Sequence, residues 1–123
     1  MSKSKYQAKY HPNFFDTLDQ IQEQMSEEEF EELFDLLMHE INKTLARDPF
    51  SNSRECKFGI LSKLGFRTIT FHSKKPKIGT GDMRLIFEVD ESNQINFYFA
   101  VGERINKKPR PDEDIYSIAE KLL

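Results

Sequence analysis

The sequence lacks the features that mark several large classes of protein. Its single cysteine, Cys56, cannot form an internal disulfide, so we expect a protein of a reducing compartment such as the cytoplasm. The three histidines, at positions 11, 39 and 72, lie too far apart for a local zinc motif, and we predict neither a metal nor another cofactor. No apolar run approaches the roughly 20 residues that cross a membrane. The basic start Met1–Tyr6 has no apolar stretch behind it, unlike a signal peptide.

What is present is typical of a globular protein. Hydrophobic residues make up 37% and charged residues 32% of the 123-residue chain, a length that predicts a single domain over residues 1–123. There is no tryptophan, so eleven phenylalanines and four tyrosines supply much of the large apolar volume. Cys56 has no histidine in a recognisable relation to it, and we expect a half-buried thiol rather than a nucleophile.

The two halves of the chain carry opposite charge. Residues 1–50 hold 5 Lys and Arg against 11 Asp and Glu, whereas residues 51–123 hold 13 against 10. Within the second half, residues 54–81 hold seven basic residues and one acid, Glu55. An acidic half joined to a basic face suits a protein that binds a polyanion such as nucleic acid. Charge alone leaves the alternative open that these basic residues are only solvated.

Two amphipathic helices are predicted in the first half. Pro12 suits a first helical turn, and about 13 residues of helix follow with the apolar stripe Phe14, Leu18, Ile21 and Met25. Ser26 begins a capping box with Glu29, the signature of a second helix start. That helix is predicted to end at Asp48-Pro49. Its apolar face comprises Phe30, Leu33, Phe34, Leu37, Ile41 and Leu45.

The second half changes to the two-residue period of strands. Phe66–His72 alternates, and one face of the next strand comprises Met83, Leu85, Phe87 and Val89. After a turn, the same face is predicted to include Ile95, Phe97, Phe99 and Val101. Helical spacing returns over Asp112–Leu123. With a first strand at Tyr6–Tyr10, this predicts an α+β fold: an N-terminal strand and a helical hairpin packed on a twisted antiparallel sheet, with a short C-terminal helix.

Strand parity separates a few polar side chains from the helices. If Leu85 and Phe99 face the helical hairpin, Arg84 and Tyr98 point to the other side of the sheet. Arg104 shares that side if its strand continues without a bulge. Arginine suits bidentate contact with a phosphate and an exposed aromatic can stack on a base, so the pattern is compatible with nucleic-acid binding.

Three segments at these positions resemble the RelE/ParE toxin superfamily. Asp82–Asp90 (DMRLIFEVD) is similar to its R-L-I-Y-x-I-D strand, and Phe97–Arg104 (FYFAVGER) is similar to the following strand, which ends in V-G-x-R. Asp114–Ser117 (DIYS) is similar to the x-V-Y-x that opens its last helix. The order of elements along the whole chain also fits, so the resemblance implies a RelE-like fold.

The resemblance implies the toxin of a type II toxin–antitoxin pair. Such toxins cleave messenger RNA in the ribosomal A site without a metal, by attack of a ribose 2′-hydroxyl on the adjacent phosphate. Arg84 and Arg104 would then hold and stabilise the phosphate, and Tyr116 would stack on a base or assist proton transfer. The further RNA-binding candidates are Arg67, Lys74, Lys75 and Tyr98. The expected partners are a cognate antitoxin, messenger RNA and the ribosome; a homodimer is left open.

Two connections are longer than in the family pattern. One is Lys74–Gly81, before the strand that carries Arg84. The other is Ile105–Ile115, which separates Arg104 from Tyr116 and leaves open whether the tyrosine reaches the site. Within it, Lys107–Pro111 (KKPRP) resembles the K-K-x-x-x-T-P run of the HigB-like branch.

The sequence is also compatible with two alternatives to the ribonuclease. A ParE-like or catalytically degenerate member would bind gyrase or an antitoxin without cutting RNA. The third hypothesis is an unrelated α+β binding domain whose resemblance arises by chance. Arg84, Arg104 and Tyr116 together favour the ribonuclease, because ParE-like proteins lack the arginine set.

Overall fold

A computed structural model describes residues 5–57 and 59–123. Its elements in chain order are β1 (Gln7–Tyr10), α1 (Pro12–Glu23), α2 (Glu27–His39), β2 (Arg54–Glu55), α3 (Gly59–Lys63), β3 (Arg67–Phe71), β4 (Met83–Asp90), β5 (Ile95–Glu103) and α4 (Ile115–Lys121). No helix in these described ranges combines the length and the apolar character needed to span a membrane.

The two predicted N-terminal helices are confirmed. In α2 the Ser26 hydroxyl accepts a hydrogen bond from the Glu29 amide at 3.2 Å, and the Glu29 carboxylate accepts one from the Ser26 amide at 3.0 Å, so the capping box forms as predicted. After His39 the helix continues through a π-helical turn, Glu40–Thr44, and a last α-helical turn, Leu45–Arg47. It therefore ends just before Pro49, as the sequence indicates.

The five strands form one sheet in the order β1-β5-β4-β3-β2. Strands β2 to β5 pair antiparallel, as predicted, but β1 lies parallel to β5 at the edge. A short turn joins β4 to β5 and forces them to run in opposite directions. No turn links β1 to β5, so β1 is not bound by that constraint, and the sheet is mixed at this one edge.

The helical hairpin packs on one face of the sheet and forms the larger core. We call this the helix-side core; its buried members are Phe14, Leu18, Leu33, Leu37, Ile41, Leu45, Ile69, Phe71, Met83, Leu85, Phe87, Tyr98 and Val101. Most of the acidic side chains of α2 face outward. This face thus buries apolar area and presents negative charge to solvent.

The opposite face of the sheet carries a second, smaller core. It joins Ile86 of β4 to α3 and α4, and its buried members are Cys56, Leu61, Phe66, Ile86, Phe99, Ala100, Ile115 and Ala119. Ile86 is fully buried, although a sheet with one apolar face would leave it exposed. The prediction of a single apolar face is therefore wrong, because α4 folds over the second one.

A β-bulge in β5 changes which side chains face the helices. Ile86 pairs with Ala100 but Phe87 pairs with Tyr98, so Phe99 is the extra residue. Tyr98 consequently lies in the helix-side core and Phe99 in the second core, the reverse of the predicted parity. Phe97 is also turned away from the helices, at 39% exposure. Beyond the bulge the pairing of Arg84 with Gly102 keeps Arg84 and Arg104 on the same side of the sheet.

Candidate active site

A cavity of about 210 Å³ opens on the face of the sheet that lies opposite the helical hairpin. We call it the cationic cavity; it is lined by Arg54, Glu55, Cys56, Lys57, Leu61, Thr68, Arg84, Arg104, Arg110 and Tyr116. Five of these residues are cationic and one, Glu55, is acidic. The cavity therefore favours an anionic ligand.

Arg84 projects into the cavity from β4 and is only 8% exposed. Its Nη1 donates hydrogen bonds to the carbonyl oxygens of Gly81, at 2.7 Å, and Met83, at 3.0 Å. Position 81 requires glycine, because a Cβ there would overlap the Phe71 backbone. Within the described part of the chain no carboxylate pairs with Arg84. Its charge is thus oriented by neutral carbonyls and left uncompensated.

Arg104 follows β5 and is anchored differently. Its Nη1 donates to the Oδ1 atom of Asp114 at 2.9 Å and to the Ile105 carbonyl at 3.0 Å. The guanidinium carbon lies 5.3 Å from the centroid of the Tyr116 ring, a cation–π contact. Arg104 therefore meets the tyrosine from which the long connection separates it in sequence.

Asp114 is the residue that joins these two groups, and no separate role was predicted for it. It is fully buried, and its Oδ1 also accepts from the Ile105 amide at 2.6 Å. Its Oδ2 caps α4 by accepting from the Tyr116 amide at 3.0 Å. An acid directly before a helix is a readable cap signal, but its bond to Arg104 is a tertiary contact that the pattern does not reveal.

Tyr116 lies between Arg104 and β3. Its hydroxyl is 3.1 Å from Oγ1 of Thr68, and the side chain is partly buried. The Ile105–Ile115 connection therefore does not carry the tyrosine away from the arginines. Arg84, Arg104 and Tyr116, predicted as the three central residues, line the same cavity.

The wall of the cavity also contains Cys56, which is buried. Burial raises the pKa of its thiol to about 11, an effect that the nearby charges of Arg67 and Arg54 only partly oppose. The thiol is therefore protonated at neutral pH and is a poor nucleophile or base.

The four residues predicted to bind RNA around the site do not line the cavity. Tyr98 is fully buried in the helix-side core, where burial raises the pKa of its hydroxyl, so its assignment to an RNA surface is wrong. The β5 bulge is the reason. Arg67 shares the helix side of β3 and donates to the Ser53 hydroxyl at 2.8 Å and to the Phe50 carbonyl at 3.2 Å. Its role there is to fasten the segment before β2.

Lys74 and Lys75 lie near the start of α2. The backbone amide of Lys75 donates to the Glu32 carboxylate. The pKa of Glu29 is lowered by hydrogen bonds from Ser26 and, to a smaller extent, by the charge of Lys74. Both lysines are exposed, on a part of the molecule that does not reach the cavity.

Three cations in the cavity were not predicted as site residues. Arg54 and Lys57 come from β2 and the residues after it, and Arg110 comes from the connection before α4. The high density of basic residues over 54–81 could have indicated Arg54 and Lys57 as site residues. Within the described residues, no group of three His, Cys, Asp or Glu side chains is placed to hold a metal ion.

No family model and no curated protein matches this chain. Among solved structures, it is similar to a chain of the toxin–antitoxin complex RelBE2 from Mycobacterium tuberculosis, with a TM-score of 0.56 and 13% identity over 84% of this chain and 95% of that one. The chain has a RelE-like fold. A second RelE-like match is the archaeal RelE–RelB complex from Pyrococcus horikoshii OT3, with a TM-score of 0.44 and 12% identity over 84% of this chain and 99% of that one.

Proposed function

We propose that this chain is the toxin of a type II toxin–antitoxin pair, a metal-independent endoribonuclease that cuts messenger RNA on the ribosome in the cytoplasm. The observation that carries the proposal is the meeting of Arg84, Arg104 and Tyr116 in one cationic cavity of a RelE-like fold. The proposed site does not include Arg67, Lys74 or Lys75, which lie outside this cavity.

The proposed reaction is an internal transfer at one phosphate. The ribose 2′-oxygen attacks the adjacent phosphorus as its proton leaves, and the bond from phosphorus to the 5′-oxygen breaks as that oxygen gains a proton. The products are a 2′,3′-cyclic phosphate and a free 5′-hydroxyl. The transition state carries extra negative charge on the phosphoryl oxygens, so cations aimed at that charge lower the barrier.

The two arginines suit that task in different ways. Arg84 is nearly buried and uncompensated, and a charge in a poorly solvated site acts more strongly on a bound phosphate than one in water. The Nη1 group of Arg104 donates hydrogen bonds to Asp114 and to the Ile105 carbonyl. Its Nε and Nη2 groups donate no hydrogen bond within the described residues. Those two groups can form the paired contact with phosphate that arginine favours.

Tyr116 supplies an aromatic surface and a hydroxyl beside the arginines. Its ring can stack on a base, and its hydroxyl, next to Thr68, can assist proton transfer. Cys56 is not proposed for proton transfer, because its raised pKa keeps the thiol protonated.

We propose a cognate antitoxin as the protein partner, in line with the toxin–antitoxin complex RelBE2, one of whose chains shares the fold. An antitoxin segment that covers the cavity or displaces α4 would inactivate the protein. Because Asp114 caps α4 and binds Arg104, displacement of α4 would release Arg104 and Tyr116 together.

The second candidate is a ParE-like or catalytically degenerate member that binds gyrase or an antitoxin without cutting RNA. The ion pair between Arg104 and Asp114 favours it, since the carboxylate neutralises one of the two central arginines. Loss of catalysis would leave the fold and its binding surfaces intact.

Induced expression in a translating cell tests the proposal, with 5′ ends of messages mapped across the transcriptome. We expect growth arrest and cuts at A-site codons, both lost in Arg104→Lys. Lysine keeps a cation beside buried Asp114 but loses the paired geometry, whereas alanine would leave that carboxylate unpaired. Harmless expression without cuts would overturn the proposal, and gyrase-linked DNA breaks with intact messages would select the second candidate.

A further inference from the structure

The connection before α4 folds back onto that helix and brings a cation to the cavity. Arg110 pairs with Glu120, and Asp112 pairs with Lys121 at 3.5 Å, so two ion pairs link residues 105–114 to α4. Arg110 also lines the cationic cavity with Arg84 and Arg104. The long connection therefore contributes to the cavity a charge that a shorter one would not supply.

Glu120 occupies the position where it can neutralise that charge. It lies four residues after Tyr116 on α4, one helical turn farther along the same side. The side chains of Arg110 and Glu120 are 38% and 27% exposed, so the pair is in contact with water. A water-exposed pair of this kind exchanges partners readily, and a phosphate offers arginine a stronger, two-pronged acceptor.

We propose that Arg110 is an RNA-binding residue that leaves Glu120 for a phosphate of the bound strand. In the free protein, the Glu120 carboxylate occupies the position that this phosphate takes on binding. This inference rests on the proposed function, because it assumes that the ligand is RNA. In the free protein the pair keeps Arg110 near the cavity. On binding, the RNA phosphate takes the place of the carboxylate.

A purely structural ion pair makes a different prediction. If the pair only fastens the connection to α4, removing either partner loosens the same segment and shifts RNA affinity in the same direction. If Glu120 competes with RNA for Arg110, the two substitutions act in opposite directions. The sign of the Glu120 effect therefore separates the two roles.

The test measures binding of a fluorescein-labelled 2′-fluoro RNA hexanucleotide, which lacks the attacking hydroxyl, by anisotropy at several salt concentrations. We expect Arg110→Ala to weaken binding about 5- to 10-fold, as loss of a charge-assisted contact would. It should also reduce the slope of log affinity against log salt by about 0.7, the loss of one phosphate contact to a single strand. We expect Glu120→Gln to tighten binding about threefold.

Two matched controls isolate the effect. Lys121→Gln breaks the other ion pair between this connection and α4, and Glu113→Gln gives the same change of net charge on an exposed residue outside the cavity. Neither should change the affinity by more than about 1.5-fold. Weaker binding in both Arg110→Ala and Glu120→Gln, or no change in either, would overturn the inference. The affinity of Arg84→Ala then shows separately whether RNA binds in the cavity. If Arg84→Ala binds as tightly as the wild type, the cavity is not the RNA site and the proposed function fails as well. A wild type that does not bind this RNA overturns the inference, and cleavage on a programmed ribosome then decides the proposed function.

Discussion

The two faces of the sheet differ in what they bury. The helix-side core is the larger one, and it holds the three largest fully buried side chains, Tyr98, Phe14 and Phe87. The opposite face has a smaller core and, beside it, a cavity lined by five cations. Stability is therefore concentrated on one face and candidate chemistry on the other, so substitutions on the two faces should affect different measurements.

The charges repeat this division. The exposed surface of α2 is rich in acids, whereas the cavity has Glu55 as its one lining acid. An acidic surface repels the phosphate backbone of RNA and a cationic cavity attracts it. A molecule of net charge −3 can thus present a local binding site for RNA, and overall acidity does not argue against one.

The largest expected effect on stability is in the helix-side core. Leu37 is fully buried, and Leu37→Ala should lower the free energy of unfolding by about 2–5 kcal/mol, because it removes buried apolar area and leaves a cavity. Denaturant unfolding measures this. Phe34→Ala, on the same helix at 37% exposure, is the control and should cost clearly less. Equal losses would contradict the assigned core.

On the cavity face, Arg84→Ala should act on cleavage more than on folding. We expect the single-turnover rate of RNA cleavage to fall about 100- to 1000-fold, the loss typical of one preorganised donor to a developing charge. The free energy of unfolding should fall by less than in Leu37→Ala, since Arg84 contributes two hydrogen bonds to carbonyls. A rate within tenfold of wild type would exclude Arg84 from the reaction.

Asp114 links the second core to the cavity, so its substitution should affect both measurements. The amide side chain introduced by Asp114→Asn can still cap α4, but it loses the ion pair with Arg104 and presents an NH₂ group to one of the two backbone amides that the carboxylate serves. We expect the free energy of unfolding to fall by about 1.5–3 kcal/mol and cleavage to slow. If cleavage is unchanged while the stability falls, Asp114 acts only as a helix cap.

The smallest effect is expected at the start of α2. Ser26→Ala removes the side-chain half of the capping box and should lower the free energy of unfolding by about 1 kcal/mol. Cleavage should not change, because α2 lies on the face away from the cavity. A loss of cleavage at unchanged stability would show that the two faces are coupled.

Local patterns predicted much of the fold. The capping box at Ser26, the β4–β5 hairpin and the C-terminal helix each depend on residues close in sequence, and all three form. The parallel pairing of β1 and the second core depend on where distant elements meet. The bulge at Phe99 inserts one extra residue into β5, so the side chains before it in that strand point to the opposite face of the sheet from the one predicted. Alternation of apolar and polar residues does not reveal such a bulge.

The candidate site divides in the same way. Motifs located Arg84, Arg104 and Tyr116, and the structure brings these three to one cavity. The prediction that Tyr98 binds RNA was wrong because it assumed a strand without a bulge. Arg110 and Asp114 were not singled out because their places depend on how residues 105–114 fold back onto α4, which local spacing does not encode.

The most direct test is cleavage by the purified protein of a message held on a programmed ribosome, with a 2′-deoxy nucleotide at the expected cut as the matched substrate. We predict one cut in the A site, with a 2′,3′-cyclic phosphate on one fragment and a 5′-hydroxyl on the other, and no cut in the deoxy message. An intact ribose message, or equal cutting of both messages, would contradict the proposed ribonuclease.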